Sequence, residues 1–149
     1  MIGVRARTAM VTLVAASMLP LADCGQGGGY CGAVKDHQSD LGTIVHGGSR
    51  TALIQALPDF EDLQGKAPSD VADDWQLLVS RIKALDTALK NAGVDPGTYD
   101  AAHPPSGLSA EDRGLIRRAA AQLAASDTQQ ALDTVQQEVL DVCHTPLDL

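Results

Sequence analysis

The histidines are the side chains best suited to act as a general acid or base near neutral pH. The sequence has His37, His46, His103 and His144. Nucleophilic catalysis also needs a Ser, Cys or Thr beside the base and a third group that orients it. No Gly-x-Ser-x-Gly segment occurs, and no histidine lies in a recognised catalytic motif. The sequence therefore predicts no catalytic residue and no enzyme, with His37 at the surface.

Paired carboxylates are a second possible source of acid–base chemistry. Glycoside cleavage needs two carboxyl groups that face each other across a cleft. Asp73 and Asp74 are adjacent in the chain, so their side chains diverge, whereas Asp70 and Asp74 share one face at i,i+4. Acidic residues at the positive end of a helix dipole explain this cluster without catalysis.

Metal ligands are sparse. Asp59, Glu61 and Asp62 are close in sequence, but their spacing is not that of a calcium loop, which leaves only weak surface binding of calcium open. Cys143 and His144 are adjacent, yet Cys31 has no C-x-x-C partner. The phosphate-binding, dinucleotide and haem-attachment patterns are also absent. The sequence therefore predicts no cofactor and no metal centre.

The first 23 residues resemble a secretory signal. Arg5 and Arg7 precede an apolar run over residues 9–19, which is shorter than a transmembrane helix needs to be. We therefore expect a signal peptide over 1–23, a Gly-rich tether over 24–29 and one domain over 30–149. This organisation predicts an exported protein.

Cys24 stands where a lipid anchor would be attached. Leu21 and Ala22 before it fit a bacterial lipobox, whereas Asp23 departs from the small residue usual at that position. The glycines that follow suit a flexible tether. The prediction is a lipid on Cys24 that holds the domain at the outer face of the membrane; the alternative is simple secretion, with Cys24 free or paired with another chain.

The cysteine count supports this assignment. Three cysteines are an awkward number for an exported protein. If Cys24 carries lipid, Cys31 and Cys143 remain as a pair at opposite ends of the domain, and an oxidising compartment favours their bonding. We therefore predict a Cys31–Cys143 disulfide.

The remaining pattern is helical. Aromatic residues make up only 3% of the chain, so aliphatic side chains must build the core. Residues 68–92 carry one apolar stripe with alternating gaps of three and four. Further helices are predicted over 30–45, over 50–64 with a kink or break at Pro58, from Ser109 onward, and over 127–142 with a capping box at Ser126. The apolar sets of the last two helices are Leu115, Ile116, Ala119, Ala120 and Leu123, and Leu132, Val135, Val139 and Val142. The predicted fold is all-α: an antiparallel bundle of four to five helices closed by a disulfide.

One long connection interrupts the helices. Residues 94–108 contain Pro96, Pro104 and Pro105, and loops of this length are usually functional or disordered. We expect Tyr99 and His103 to pin this loop to the bundle, and we take Pro96, Tyr99, His103, Pro104 and Pro105 as a candidate interaction loop.

Several short stretches carry a family resemblance. They are Tyr30-Cys31, residues 67–75 (APSDVADDW), residues 92–96 (AGVDP) and residues 141–147 (DVCHTPL). In these the chain resembles small, uncharacterised lipoproteins and secreted proteins of actinobacteria. The resemblance implies a helical exterior domain with a terminal Cys pair, and it implies no activity.

Binding is the function that these observations leave. A net charge of −8 disfavours contact with nucleic acid. The leading expectation is a protein-interaction module at the cell envelope, with an unidentified protein partner. The alternative is a small-ligand carrier with a pocket lined by Tyr30, Phe60 and Trp75.

Overall fold

The computed structural model describes residues 29–147 and 149. The predicted signal peptide over 1–23, Cys24 and the tether as far as residue 28 lie outside the described residues. The described part contains six α-helices: α1 (Tyr30–His46), α2 (Ala52–Gln55), α3 (Leu57–Lys66), α4 (Ala72–Asn91), α5 (Ala110–Leu123) and α6 (Ser126–Cys143). The all-α prediction and the disulfide closure are confirmed.

The number of helices exceeds the predicted four to five because the segment 50–64 is divided. Ala56 ends α2 and also precedes the first residue of α3. Pro58 follows at the second position of α3, where its missing N–H leaves no hydrogen bond unmade. The proline thus breaks the segment into a single turn and a ten-residue helix.

Helix α4 is the central element, and it packs against α2, α3, α5 and α6. Its stripe is buried at Trp75, Leu78, Ile82 and Leu89, as the spacing predicts. The helix begins at Ala72 and not near Pro68, because Pro68 and Val71 are joined in a preceding turn. At its other end, Gly93 has a φ of +71°, which glycine adopts without steric cost.

The starts of α5 and α6 differ in how well the sequence predicted them. The Ser109 side chain accepts a hydrogen bond from the Asp112 backbone N–H, so this predicted cap is confirmed. The capping box at Ser126 is wrong, because α6 begins at Ser126 itself and Ala125 occupies the cap position without a side-chain hydrogen bond.

The core has two clusters. The larger one joins α1, α3, α4 and α6 through fully buried side chains that include Leu41, Leu63, Ile82 and Val139. The smaller one, centred on Leu89, Leu108 and Ile116, lies between α4, α5 and the segment that connects them.

Three residues predicted to face inward are exposed: Leu115, Ala120 and Val142. Leu115 is 43% exposed because its neighbour Ile116 occupies the core-facing position on α5. Val142 is 52% exposed because Val135, Val139 and Cys143, spaced by four, hold the buried face of α6. In each case a step of one residue along the helix changes the side-chain direction by about 100°, which places the neighbouring side chain outside the core.

Candidate functional site

The disulfide lies at one end of the bundle. Cys31 in the first turn of α1 and Cys143 in the last turn of α6 are bonded, with a Cα–Cα distance of 5.1 Å and a sequence separation of 112. Cys143 is buried, and Cys31 packs against the larger core cluster. The bond therefore fixes the first and last helices of the domain to each other.

The aromatic residues beside the disulfide do not line a pocket. Trp75 packs against Phe60 at a ring-centroid distance of 5.9 Å and against Tyr30 at 6.5 Å. Its indole Nε1–H donates a buried hydrogen bond of 2.7 Å to the Tyr30 hydroxyl. Burial raises the pKa of this tyrosine. The three rings are therefore packed together, and none of them lines the cleft described next.

A cleft lies instead at the opposite end of the bundle. It has a volume of about 820 Å³ and runs between α2, α4, α5 and the loop after α4. Its lining is mainly aliphatic and aromatic: Leu53, Ile54, Leu85, Leu89, Tyr99, Ile116 and Leu123. Ligand sites commonly occupy about 300–1,000 Å³ and are predominantly apolar with a few polar groups, so the cleft has the size and character of one.

The length of α1 separates the cleft from the disulfide. Cys31 is in the first turn of α1, whereas Ser49, just after the end of the helix, lines the cleft. A 17-residue helix spans about 25 Å at 1.5 Å per residue. Helix α4 repeats this arrangement, with Trp75 near the disulfide end and Leu89 at the cleft.

The loop wall of the cleft is braced by hydrogen bonds from the α1–α2 connection. Thr51 donates through Oγ1 to the Gly97 carbonyl at 3.0 Å, and Arg50 forms an ion pair with Asp100. Asp100 also accepts from the Ala102 backbone N–H at 2.8 Å and from His103 Nδ1 at 3.0 Å. These hydrogen bonds, that from His103 first, lower the pKa of Asp100 to about 2. The loop is therefore an ordered wall.

The predicted interaction loop divides into a packed part and an exposed part. Tyr99 packs against the smaller core cluster, which confirms its predicted role in pinning the loop, and Pro96 is half-buried. His103 does not pin the loop to the bundle: its side chain is 84% exposed and pairs with Asp100 within the same loop. Pro104 and Pro105 lie in a continuous exposed arc over residues 101–107.

Two arginines flank the cleft without an acidic partner. Arg113 and Arg117 line it from α5 and stand one helical turn apart. Neither is in an ion pair with a residue that the structure describes. Arg113 uses its Nε–H for a long hydrogen bond of 3.4 Å to the Ser109 carbonyl. Nothing in the sequence around Arg113 and Arg117 indicates that they border an apolar cleft.

The acidic segment considered for calcium is engaged in other contacts. Asp59 and Asp62 contact the two ring nitrogens of His37 at 3.0 and 2.9 Å, and Glu61 pairs with Lys83 at 2.6 Å. Hydrogen bonds from Lys66 and His37 lower the pKa of Asp62. His37 is thus a bridge between α1 and α3, only 23% exposed, and not the surface residue that was predicted. Residues 29–147 contain no group of three or more His, Cys, Asp or Glu side chains arranged to hold a metal ion.

Within the described part of the chain, no helix has both the length and the apolar content that crossing a membrane requires. No family model, curated protein or solved structure matches the chain significantly.

Proposed function

We propose that this chain is an exported binding domain that takes an apolar ligand in the cleft between α2, α4, α5 and the loop of residues 94–108. The observation that carries the proposal is a cleft of about 820 Å³, lined mainly by apolar side chains, at one end of the bundle. Apolar surface left open to water costs about 25 cal/mol per Å², and a bound ligand would recover this energy.

Export and anchoring are part of the same proposal. The signal-like residues 1–23, the glycine tether and Cys24 support an exported domain with a lipid anchor. The Cys31–Cys143 disulfide supports an oxidising compartment. We retain with them the proposal that the chain belongs among the small exported proteins of actinobacteria.

The positions of the tether and the cleft at opposite ends of the bundle fit an anchored binding domain. The tether enters the domain at Gly29, beside the disulfide, whereas the cleft lies about 25 Å away along α1. An anchor at Cys24 would hold the disulfide end near the membrane and leave the cleft facing outward. A ligand could then enter or leave without detachment of the domain from the membrane.

The hydrogen bonds and low pKa of the acidic residue in the cleft favour binding over catalysis. Asp100 is its one acidic lining residue, and its carboxylate is occupied by Arg50, His103 and the Ala102 N–H. A carboxylate with a pKa near 2 is a poor proton acceptor at neutral pH. Asp100 therefore serves to order the loop.

A blocking substitution tests this proposal. Ala120 lines the cleft and is exposed, whereas its neighbour Ala121 is equally exposed on α5 but does not line the cleft. Ala120→Trp should fill the cleft, and Ala121→Trp is the matched control. We expect Nile red, a neutral apolar fluorophore, to bind the natural protein and the control variant and to lose most of its affinity for Ala120→Trp. Equal binding to both variants would contradict the cleft as the site, and no binding to any form would contradict an apolar-ligand function.

A protein-interaction function is the second candidate, and the exposed arc of residues 101–107 favours it. Seven consecutive exposed residues follow the hydrogen-bonded Asp100, so a partner could bind them at little ordering cost. The changes Pro105→Arg and Ser106→Arg would alter this arc without reaching the lining of the cleft. Loss of a partner from the envelope fraction with unchanged Nile red affinity would support docking at the arc. Recovery of the same proteins with and without these changes would contradict it.

A further inference from the structure

Some cationic side chains of the domain form ion pairs, and others do not. Ion pairs engage five of the described ones: Arg50, Lys66, Arg81, Lys83 and Lys90. Those with no ion-pair partner among the described residues are Lys35, Arg113, Arg117 and Arg118. In a chain of net charge −8, the unpaired arginines are thus concentrated on α5, and two of them border the cleft.

The two arginines are placed to hold an anion at the mouth. Arg113 and Arg117 are i,i+4 neighbours with exposed side chains, and Ile116 between them is buried in the cleft wall. Guanidinium groups bind carboxylates through paired, charge-assisted hydrogen bonds. Asp100, the acidic residue of the lining, is already paired with Arg50 and so does not neutralise them.

The remainder of the cleft suits a saturated chain. The partly exposed side chains of Leu53, Ile54, Leu85 and Leu123 present surface with no hydrogen-bonding group. A ligand that lies on them needs no polar atoms along its length. A volume of about 820 Å³ is in the range of sites for single small molecules and is large enough for an acyl chain.

Resting on the proposed function, we infer that the ligand is a free fatty acid. Its carboxylate binds Arg113 and Arg117 at the mouth, and its single acyl chain lies along the leucine and isoleucine side chains of α2, α4 and α5. The inference identifies the chemical class of the ligand, an apolar chain that ends in a negative charge.

The test is calorimetric titration of the exported form with myristate, laurate and the neutral alcohol tetradecanol, each below its aggregation limit. Burial of each methylene contributes about fourfold in affinity, so laurate, two methylenes shorter, should bind about 15-fold more weakly than myristate. Arg113→Gln and Arg117→Gln should each weaken myristate about tenfold, since each removes a charge-assisted hydrogen bond. Arg118→Gln, an unpaired arginine on the same helix outside the cleft, is the matched control and should change affinity less than twofold.

The outcomes separate the inference from the proposed function. If tetradecanol binds as tightly as myristate and the arginine changes have no effect, the fatty-acid inference is overturned while apolar-ligand binding remains. If neither compound binds and Nile red also fails, both proposals fall. If phosphatidylglycerol vesicles displace myristate at equal lipid concentration, the inference of a single chain is overturned. The fatty-acid inference is supported if only Arg113→Gln and Arg117→Gln lose affinity, and if they lose it for myristate but not for tetradecanol.

Discussion

Removal of the disulfide should reduce the stability of this domain without changing its ligand site. Cys31 and Cys143 close a loop of 112 residues. The chain-entropy relation gives about 4.8 kcal/mol at 25 °C for a loop of this length, because the cross-link restricts the unfolded chain. The free energy of unfolding of a domain is about 5–15 kcal/mol in total, so the double variant Cys31→Ala/Cys143→Ala should lose a large fraction of it.

Urea unfolding followed by far-ultraviolet circular dichroism measures this loss. The reference is Cys24→Ser, which keeps the pair and removes the third cysteine, and so prevents exchange between thiols. Because α1 places the Ser49 rim of the cleft about 25 Å from the disulfide, the affinity of the folded double variant for Nile red should stay within twofold of the reference. A loss of stability below about 1 kcal/mol would refute the loop-closure reasoning. Unchanged stability with a lost cleft affinity would refute the separation of the two ends.

Three further predictions concern single side chains. Tyr30→Phe leaves the buried Trp75 Nε1–H without an acceptor and should lower the free energy of unfolding by about 1–3 kcal/mol in urea titrations, whereas Tyr99→Phe should change it little. Asp100 should titrate near pH 2 by NMR. Because its pKa is lowered from 3.8, its contribution to loop order is fully present above pH 3.8 and is lost as the pH falls through about 2. Slow exchange of the Ala102 amide, which donates its hydrogen bond to Asp100, that persisted unchanged below pH 2 would contradict this assignment. His144→Gly should raise stability by about 1 kcal/mol in thermal unfolding because His144 ends α6 with a φ of +53°, and a destabilised variant would count against that reading.

The fold was predictable where one physical cause dominated. The stripe of α4 is regular over five turns, so burial of Trp75, Leu78 and Ile82 follows from spacing alone. The disulfide followed from the cysteine count, since an oxidising compartment leaves few stable alternatives for Cys31 and Cys143. Helix ends were less predictable, because Pro68 and Ser126 are acceptable both in a helix and just before one.

The cleft was not predictable, because it arises from spaces between elements. The spacing of Leu85 and Ile54 in the sequence is that of ordinary core-facing residues, and it does not indicate that they line a cleft. The opening exists because α2 is a single turn of four residues and leaves the ends of α4 and α5 partly uncovered. The aromatic residues, which drew the predicted pocket to Tyr30 and Trp75, are large enough to fill their own space completely.

The central claim, that the cleft is a ligand site, is tested most directly by isotope-filtered NMR of the labelled protein with unlabelled myristate. The account predicts intermolecular nuclear Overhauser effects from the acyl chain to the methyl groups of Leu85, Leu89 and Ile116, and none to Val139 or Leu147 near the disulfide end. Contacts confined to exposed methyl groups such as those of Leu140 and Val142, or the absence of any intermolecular contact at saturating myristate, would contradict it.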